Sequence, residues 1–551
     1  MKQLRLAGPS ELLGRSELLR PLAVPLFGAL WLAALLANIG SWMETVGAQW
    51  WLVSQPDSSA FVALVQTAEM LPMMLLALPA GVLADVLDRR RLLIATQVFL
   101  VVVAVLLAVA TATDRLTPGL LLVLTFVLGA GGAVTVPAWE ALIPDVVRRA
   151  DIRSAAMLGS VNVNVARAIG PAIAGVLVAV VGIAPVFGLN AVTYLVFAVV
   201  LIWARIPRPE STMRRERFLP AMRTGGAFVR WTPDVTTILF RSALFLLPAV
   251  TMWALLPLVA SDVFGLGAAG YGTLLGALGV GAIVGIVLLG TIRQRLSDEH
   301  LMRVASLVYA AAMVLLVTIP STLAAIVVLL LSGACWVGFL SNANALLQLA
   351  LPAWVRARAL ALFMVVLFGT QAIGAFIWGL VAAGIGLRET FVLAGAITVA
   401  GVAIGWRWKL PDVSTIDRSA ALYWGEANLA FEPDLDVGPV LVEVNYSIPA
   451  DRETEFLAAM EHMERSRRAT GARTWRLVRD GNDLSRFIEV FELGSWDEHL
   501  RQHIGGLTTE ADRAVEQRVQ AFSTQAPFAR HYFPADVPTS APTEEDPPVQ
   551  P

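Results

Sequence analysis

Charge is scarce in this chain. Of its 551 residues only 15% are Asp, Glu, Lys or Arg, while 57% are hydrophobic. A soluble globular chain carries about 25% charged residues. A deficit held over several hundred positions excludes an ordinary soluble protein for most of the length. Lysine is nearly missing: Lys2 and Lys409 stand alone, so arginine supplies almost all the positive charge. Cysteine is reduced to Cys335, which excludes an intrachain disulfide and, within an apolar run, reads as a small buried hydrophobe. The net charge of −2 gives no reason to expect a nucleic-acid partner. No Gly-rich loop ending in lysine is present, which argues against direct drive by ATP. No nucleophile constellation or complete metal-ligand spacing stands out, so neither cofactor nor metal is expected. The polar start, MKQLRLAGPSELLGRSELLRPL, precedes an apolar run too long for a signal h-region, so no cleavable leader is expected.

What is abundant is apolar sequence in long runs. A helix needs about 20 mostly apolar residues to cross the hydrocarbon layer. Twelve such runs fall near 26–53, 61–83, 92–113, 118–138, 155–181, 185–205, 235–261, 268–290, 301–319, 322–347, 357–383 and 387–408. Backbone groups in lipid must satisfy one another, so these runs read as helices. The expected fold is an all-α polytopic membrane protein of twelve transmembrane helices, arranged six plus six, followed by a C-terminal α+β ferredoxin-like domain.

Arginine placement orients the chain. One set of loops carries Arg20, Arg89–Arg91, Arg148, Arg149, Arg153, Arg293, Arg295, Arg356 and Arg358, with Arg208, Arg214, Arg215, Arg217, Arg223 and Arg230 in the long sixth loop. The alternate loops are nearly bare, with Arg115 as the exception between 113 and 118. The tail at 1–25 is therefore expected in the cytoplasm, and twelve crossings return the C-terminus to the same side. The first bundle spans 26–205 and the second 235–410; the basic, partly amphipathic segment 206–234 between them (Phe218, Met222, Phe228, Trp231) is expected along the lipid surface.

After 410 the character changes. Residues 411–437 read as a polar linker and 438–534 as a soluble domain. PVLVEVNYSI alternates like a strand, DRETEFLAAMEHMERSRRATG carries an apolar face at helical spacing, and ARTWRLVRD and SRFIEVFEL alternate again around a Gly481-Asn482-Asp483 turn. Further helices and a last strand near FARHYF complete a βαββαβ order. One sheet face should be left bare, with Val442, Val444 and Tyr446 on it. His499 and His503 are four apart on a helix but lack a third ligand, and read as solvated. The Pro- and acid-rich tail 535–551 reads as disordered.

The motif GVLADVLDRRR, Gly81 to Arg91, stands between two membrane-length runs. Gly81-x-x-x-Asp85 followed by Asp88, Arg89 and Arg90 resembles the second-to-third-helix loop of the major facilitator superfamily. The glycine would let a helix approach, and the carboxylate would cap or pair at a helix end. The basic residue and glycine usual after the first aspartate are replaced by Val86 and Asp88. The form ADxxDRRRLL, with GSWMETVGAQWWLVS and LPMMLLALPAGVLAD before it, is similar to the branch of enterobactin exporters and bacterial secretion transporters. Gly170-Pro171 in the fifth run, among Ala166, Ala172, Ala174 and Gly175, resembles the Gly-Pro motif of exporters in that superfamily. The fourth run lacks the arginine on which other carriers build a proton relay. The C-terminal domain resembles antibiotic-biosynthesis monooxygenases of the dimeric α/β-barrel fold, which implies that a second copy covers the bare sheet face in a homodimer.

Charges inside a membrane are expensive and point to function. Glu44 lies about 18 residues into the first run and Glu69 about 8 into the antiparallel second, which at 1.5 Å per residue puts both at similar depth. Arg167 falls near the middle of the fifth run, with Asn162, Asn164 and Gln371 near it in depth. These six are the candidate proton and substrate residues, with Trp42, Trp50, Met70, Met252, Trp253 and Trp336 as cavity walls or lipid contacts. The resemblance implies secondary active efflux of a small hydrophobic or amphipathic molecule, drug-like or siderophore-like, coupled to protons across the cell (inner) membrane. The other readings are a membrane-tethered monooxygenase-like enzyme and a sensor that no longer transports.

Overall fold

Proline, threonine and aspartate set several helix starts. The computed structural model describes residues 19–55, 59–204, 218–410, 429–503 and 507–537, with 206, 417, 419 and 421. Helix α1 (Pro25–Val53) opens on a proline, where no N–H is needed. Helix α2 (Ser59–Val86) is followed by α3 (Arg89–Ala112), whose first turn is capped by Asp88 accepting from the Arg91 N–H at 3.0 Å. Helix α4 (Pro118–Val146) is capped by Thr117 and continues through Pro137 and Pro144, well past the expected end at 138. Membrane helices tolerate such prolines because neighbours satisfy the freed backbone groups. Helices α5 (Ile152–Val181) and α6 (Ile183–Trp203) meet at Gly182, whose φ of 87° suits glycine.

Helix α7 (Phe218–Trp231) is short and amphipathic. It is followed by α8 (Pro233–Leu258, extended by a π turn to Val263), α9 (Ala268–Arg293), α10 (Asp298–Thr318), α11 (Thr322–Ala350), α12 (Arg356–Ile385) and α13 (Leu387–Gly405). Twelve helices among the described residues are long and apolar enough to cross a bilayer, α7 being excluded.

Two compact units emerge. One comprises Met1–Arg214, Leu239–Ala343 and Phe363–Lys409; the other comprises Arg215–Ile238, Asn344–Leu362 and Leu410–Pro551. Within the first unit, α5 packs on α1 and on α9. Glycine makes the second contact possible. A Cβ on Gly175 would stand 2.6 Å from the Ala268 carbonyl oxygen, and one on Gly279 would stand 2.7 Å from the Arg167 carbonyl oxygen. The two backbones therefore touch along this stretch, which only small residues allow.

The second unit holds a four-stranded antiparallel sheet in the order β2-β3-β1-β4. Its strands are β1 (Val440–Ser447), β2 (Thr474–Arg479), β3 (Arg486–Leu493) and β4 (Phe528–Tyr532). Helix α14 (Glu453–Ala469) joins β1 to β2, while α15 (Trp496–His503) and α16 (Glu510–Gln520) join β3 to β4. This is the expected ferredoxin-like topology. The expected face assignment is corrected. Val442 and Tyr446 are buried on the helix-covered side, Val444 packs against the same core, and Leu441 and Glu443 take the bare side. The apolar helix face had to meet the more apolar strand face, and α14 supplies Phe456, Met460 and Met463 for it.

Where it is described, helix α7 packs within the second unit. Phe228 is buried against Trp354 at 5.5 Å between ring centroids, Arg468 of α14 lies 4.7 Å over the Trp231 ring, and the Trp354 indole N–H donates to the Leu507 carbonyl at 3.0 Å. The side chains of Phe218, Met222 and Arg223 lie outside the described residues, as do residues 1–18, 207–217 and 538–551, where the N-terminal tail, most of the sixth-loop arginines and most of the acidic tail were placed.

Candidate functional site

The interior face of α1 carries a polar stripe: Asn38, Ser41, Thr45 and Gln49 recur at helical spacing. The Ser41 hydroxyl meets the Tyr194 hydroxyl of α6 at 2.9 Å, and Thr45 donates to Glu69 Oε1 of α2 at 2.6 Å. Glu44 is 4% exposed, and its Oε1 is buried with no hydrogen-bond partner among the described residues. The two carboxylates are electrostatic neighbours, and no described cation pairs with either. On the same helix Gln49 accepts from the Tyr271 hydroxyl of α9, and Trp50 stacks on the Tyr271 ring at 6.1 Å.

Arg167 is brought to the seam between α1, α5 and α8. Its guanidinium lies 5.6 Å from the Trp42 ring centroid and 5.7 Å from that of Trp253, with its Nε buried and unbonded. Trp253 continues into an aromatic cluster with Trp336 at 5.5 Å, and Trp336 neighbours Phe245 and Tyr309. Met252, Trp253 and Trp336 are buried in protein, whereas Trp42, Trp50 and Met70 are half-buried. Glu44 and Glu69 thus come together, while Arg167 stands apart from them among indole rings.

The other candidates separate. Asn162 is a cross-link between α5 and α1: it accepts from Asn38 at 2.8 Å and donates to the Trp31 carbonyl at 2.9 Å. Asn164 and Gln371 bond to carbonyls of their own helices, Ser160 and Leu367. At the α2–α3 turn, Arg89 donates to Asp145 Oδ2 at 2.9 Å and to the Ala141 carbonyl, while Arg90 donates to the Leu201 and Ile202 carbonyls that end α6. A Cβ on Gly81 would meet no described atom within 4 Å, so no helix abuts it here. The Asp85 side chain lies outside the described residues. Gly170 is different: a Cβ there would stand 2.7 Å from Trp42 Cβ, so the Gly170-Pro171 step lets α5 approach α1 beside Arg167.

The sheet domain buries its own polar cluster. Glu489, fully buried, accepts from the Trp475 indole at 2.9 Å, the Tyr446 hydroxyl at 3.0 Å and Arg467 at 3.3 Å, and Arg467 also donates to Glu516 at 2.9 Å. Beside it, His499 meets His531 of β4 at 2.9 Å between Nε2 atoms and His503 at 5.0 Å between rings. His499 is 2% exposed, which corrects the solvated reading. Burial first, then His503 and His531, holds its pKa well below the usual histidine value; burial followed by Arg467 pushes His503 to about 4. Among the described residues no three metal-ligating side chains are grouped to hold an ion.

A family model described as transmembrane secretion effector matches residues 16–538. The chain belongs to the transmembrane secretion effector family. The staphyloferrin A transporter of Staphylococcus aureus is 24% identical over 233 residues, 42% of this chain and 58% of that protein. Macrolide efflux protein A of Streptococcus pyogenes is 20% identical over 240 residues, 43% of this chain and 59% of that protein. The chain spans about three fifths of the length of these curated relatives. Among solved structures, an inward-facing bacterial homologue of the human lysosomal transporter Spinster aligns with a TM-score of 0.54 at 17% identity, covering 69% of this chain and 94% of that one. The nucleoside transporter NupG aligns at 0.56 and 12% identity, covering 69% and 98%. The shared fold is that of major facilitator transporters.

Two of the features missed from sequence carried a readable signal. The stripe Asn38-Ser41-Thr45-Gln49 is periodic, and Glu489 occupies the apolar register of its strand with Phe487, Phe491 and Leu493. His531 gave none, because only folding sets β4 beside α15.

Proposed function

We propose that this secretion effector exports a small hydrophobic or amphipathic molecule in exchange for protons, across the cell (inner) membrane, with both termini in the cytoplasm. Export is the sense of the macrolide efflux relatives' names. The observation that carries the coupling is the Glu44–Glu69 pair: two carboxylates on adjacent helices, one of them unbonded at Oε1, with no described cation to neutralise them. Buried carboxylates of that kind exchange protons as the site is opened to one side and then the other. The two halves would rock about the seam where α5 touches α9. Gly81, Asp85, Asp88, Arg89, Arg90, Gly170 and Pro171 would hold one end state, with Arg89 and Arg90 tying α3 to α4 and α6.

The sheet domain is read as a non-catalytic module that pairs with a second copy. Its bare face carries the exposed Leu441, Val478, Phe528 and Tyr532, and a mass measurement of the purified protein would return a monomer if that pairing is wrong. The test of transport is efflux with simultaneous proton flux in inverted vesicles. Glu44→Gln and Glu69→Gln should each uncouple it, and coupled flux surviving in both would place the coupling elsewhere.

A further inference from the structure

We infer that the transported molecule is an anion, a carboxylate or similar planar oxyanion on a flat apolar body, and that Arg167 is the residue that selects it. This rests on the exporter reading for the word transported, and on the seam itself for the chemistry.

A guanidinium presents five N–H donors and stays charged in a protein. Within the hydrocarbon layer an arginine is costly, and a carboxylate normally offsets that cost. None does so here. Among the described residues Arg167 has two indole rings as partners and no acceptor, and its Nε is buried without a bond. Ring faces attract the charge but leave the donors unused. Glu69 accepts from Thr45 and has Glu44 as its electrostatic neighbour, and neither carboxylate pairs with Arg167. The position is therefore short of one planar acceptor, and a carboxylate matches the fork of donors with two bonds.

The walls define the rest of the ligand. Trp42 comes from the first bundle and Trp253 from the second, with their rings 6.0 Å apart and Trp336 behind them. A flat apolar body would lie on these rings while its anionic end met Arg167. It would then touch both bundles, as a molecule carried by their rocking must. A cationic amphipath would meet repulsion from Arg167 at the same place.

The full-length protein in lipid nanodiscs would be melted with 1-naphthoate, its methyl ester and 1-naphthylmethylammonium. The acid should raise the melting temperature, and the ester and the ammonium should not. Arg167→Gln should weaken half-saturation by the acid more than about tenfold, the scale of a charged hydrogen bond. Arg167→Lys, which keeps the charge without the fork, should retain part of the effect. The inference is overturned if the acid gives no shift, if the ester or the ammonium stabilises as well as the acid, or if Arg167→Gln responds like the parent. Flux of 1-naphthoate in inverted vesicles separates the two claims. Binding without flux would sink the exporter reading and leave the site standing, while flux indifferent to Arg167 would sink the site and leave the exporter.

Discussion

The sheet domain and the membrane bundle each set an arginine and two glutamates away from water, in opposite ways. In the sheet domain, Arg467 reaches both Glu489 and Glu516, and Glu489 collects two further donors. In the membrane bundle, Arg167 lies beside two indole rings, and Glu44 and Glu69 are electrostatic neighbours with no described cation. Desolvating a charge is expensive in either place. A cluster that closes on itself has spent that cost on structure. A cluster left open is available to a proton or a ligand, and the fold around it must carry the penalty.

The comparison breaks most directly at the two arginines. Arg467→Met would leave buried Glu489 and half-buried Glu516 without their cation, and the sheet domain should lose about 3–5 kcal/mol, read by hydrogen exchange of β1 and β3 in the full chain. Arg167→Met removes a charge that has no described counter-charge, and the bundle should melt no lower than the parent. Equal destabilisation by the two would erase the distinction.

Acid should find the closed cluster next. His503 is held at about 4 and His499 well below its ordinary 6.5. Below pH 6.5 the unfolded chain takes up protons that the folded domain refuses. The histidine contribution is therefore complete above about 6.5 and is lost as pH falls; the His503 share levels off near 4, where it titrates in the folded domain, while the His499 share goes on falling. For His503 the loss is about 3 kcal/mol. Sheet-domain unfolding followed from pH 7.5 to 4 should show that slope, and His503→Gln should flatten it; an unchanged slope would assign the loss to other groups.

How much of this was legible in advance differs between the two clusters. Twelve spans could be read because lipid demands runs of apolar residues, and a run is visible without knowing its neighbours. Glu44, Glu69 and Arg167 stood out for the same reason. Their pairing did not, because it depends on rotation about each helix axis: Asn162 turned to Asn38, and Arg167 turned to two tryptophans instead of a carboxylate. In the sheet domain the strand order followed from alternation, yet the bare face was assigned to the wrong residues. PVLVEVNYSI is apolar on one side and mixed on the other, and which side the helices cover is settled by α14.

The open cluster should respond in flux rather than stability. Glu44→Gln and Glu69→Gln should lower proton-coupled efflux by about a hundredfold, equal to about 2.7 kcal/mol, with a melting temperature no lower than the parent. Asp85→Asn should cripple transport while membrane insertion stays normal, since its carboxylate is proposed to hold one end state. A fully active, normally inserted Asp85→Asn would remove that role.

The finest test removes one hydrogen bond from each cluster. The Trp475 indole donates to Glu489 at 2.9 Å, and Thr45 donates to Glu69 at 2.6 Å. Trp475→Phe keeps most of the ring but strips a donor from a buried carboxylate that pairs with Arg467. A hydrogen bond to a charged group contributes about 2 kcal/mol, and the sheet domain should lose that much. Thr45→Val strips a comparable donor from Glu69. No described cation pairs with that carboxylate, which is proposed to exchange protons during the cycle. The expected loss of bundle stability is below about 1 kcal/mol, with the change appearing in the pH dependence of flux. If Thr45→Val destabilises as much as Trp475→Phe and leaves the flux profile unmoved, Glu69 is a structural carboxylate and the contrast between the clusters fails.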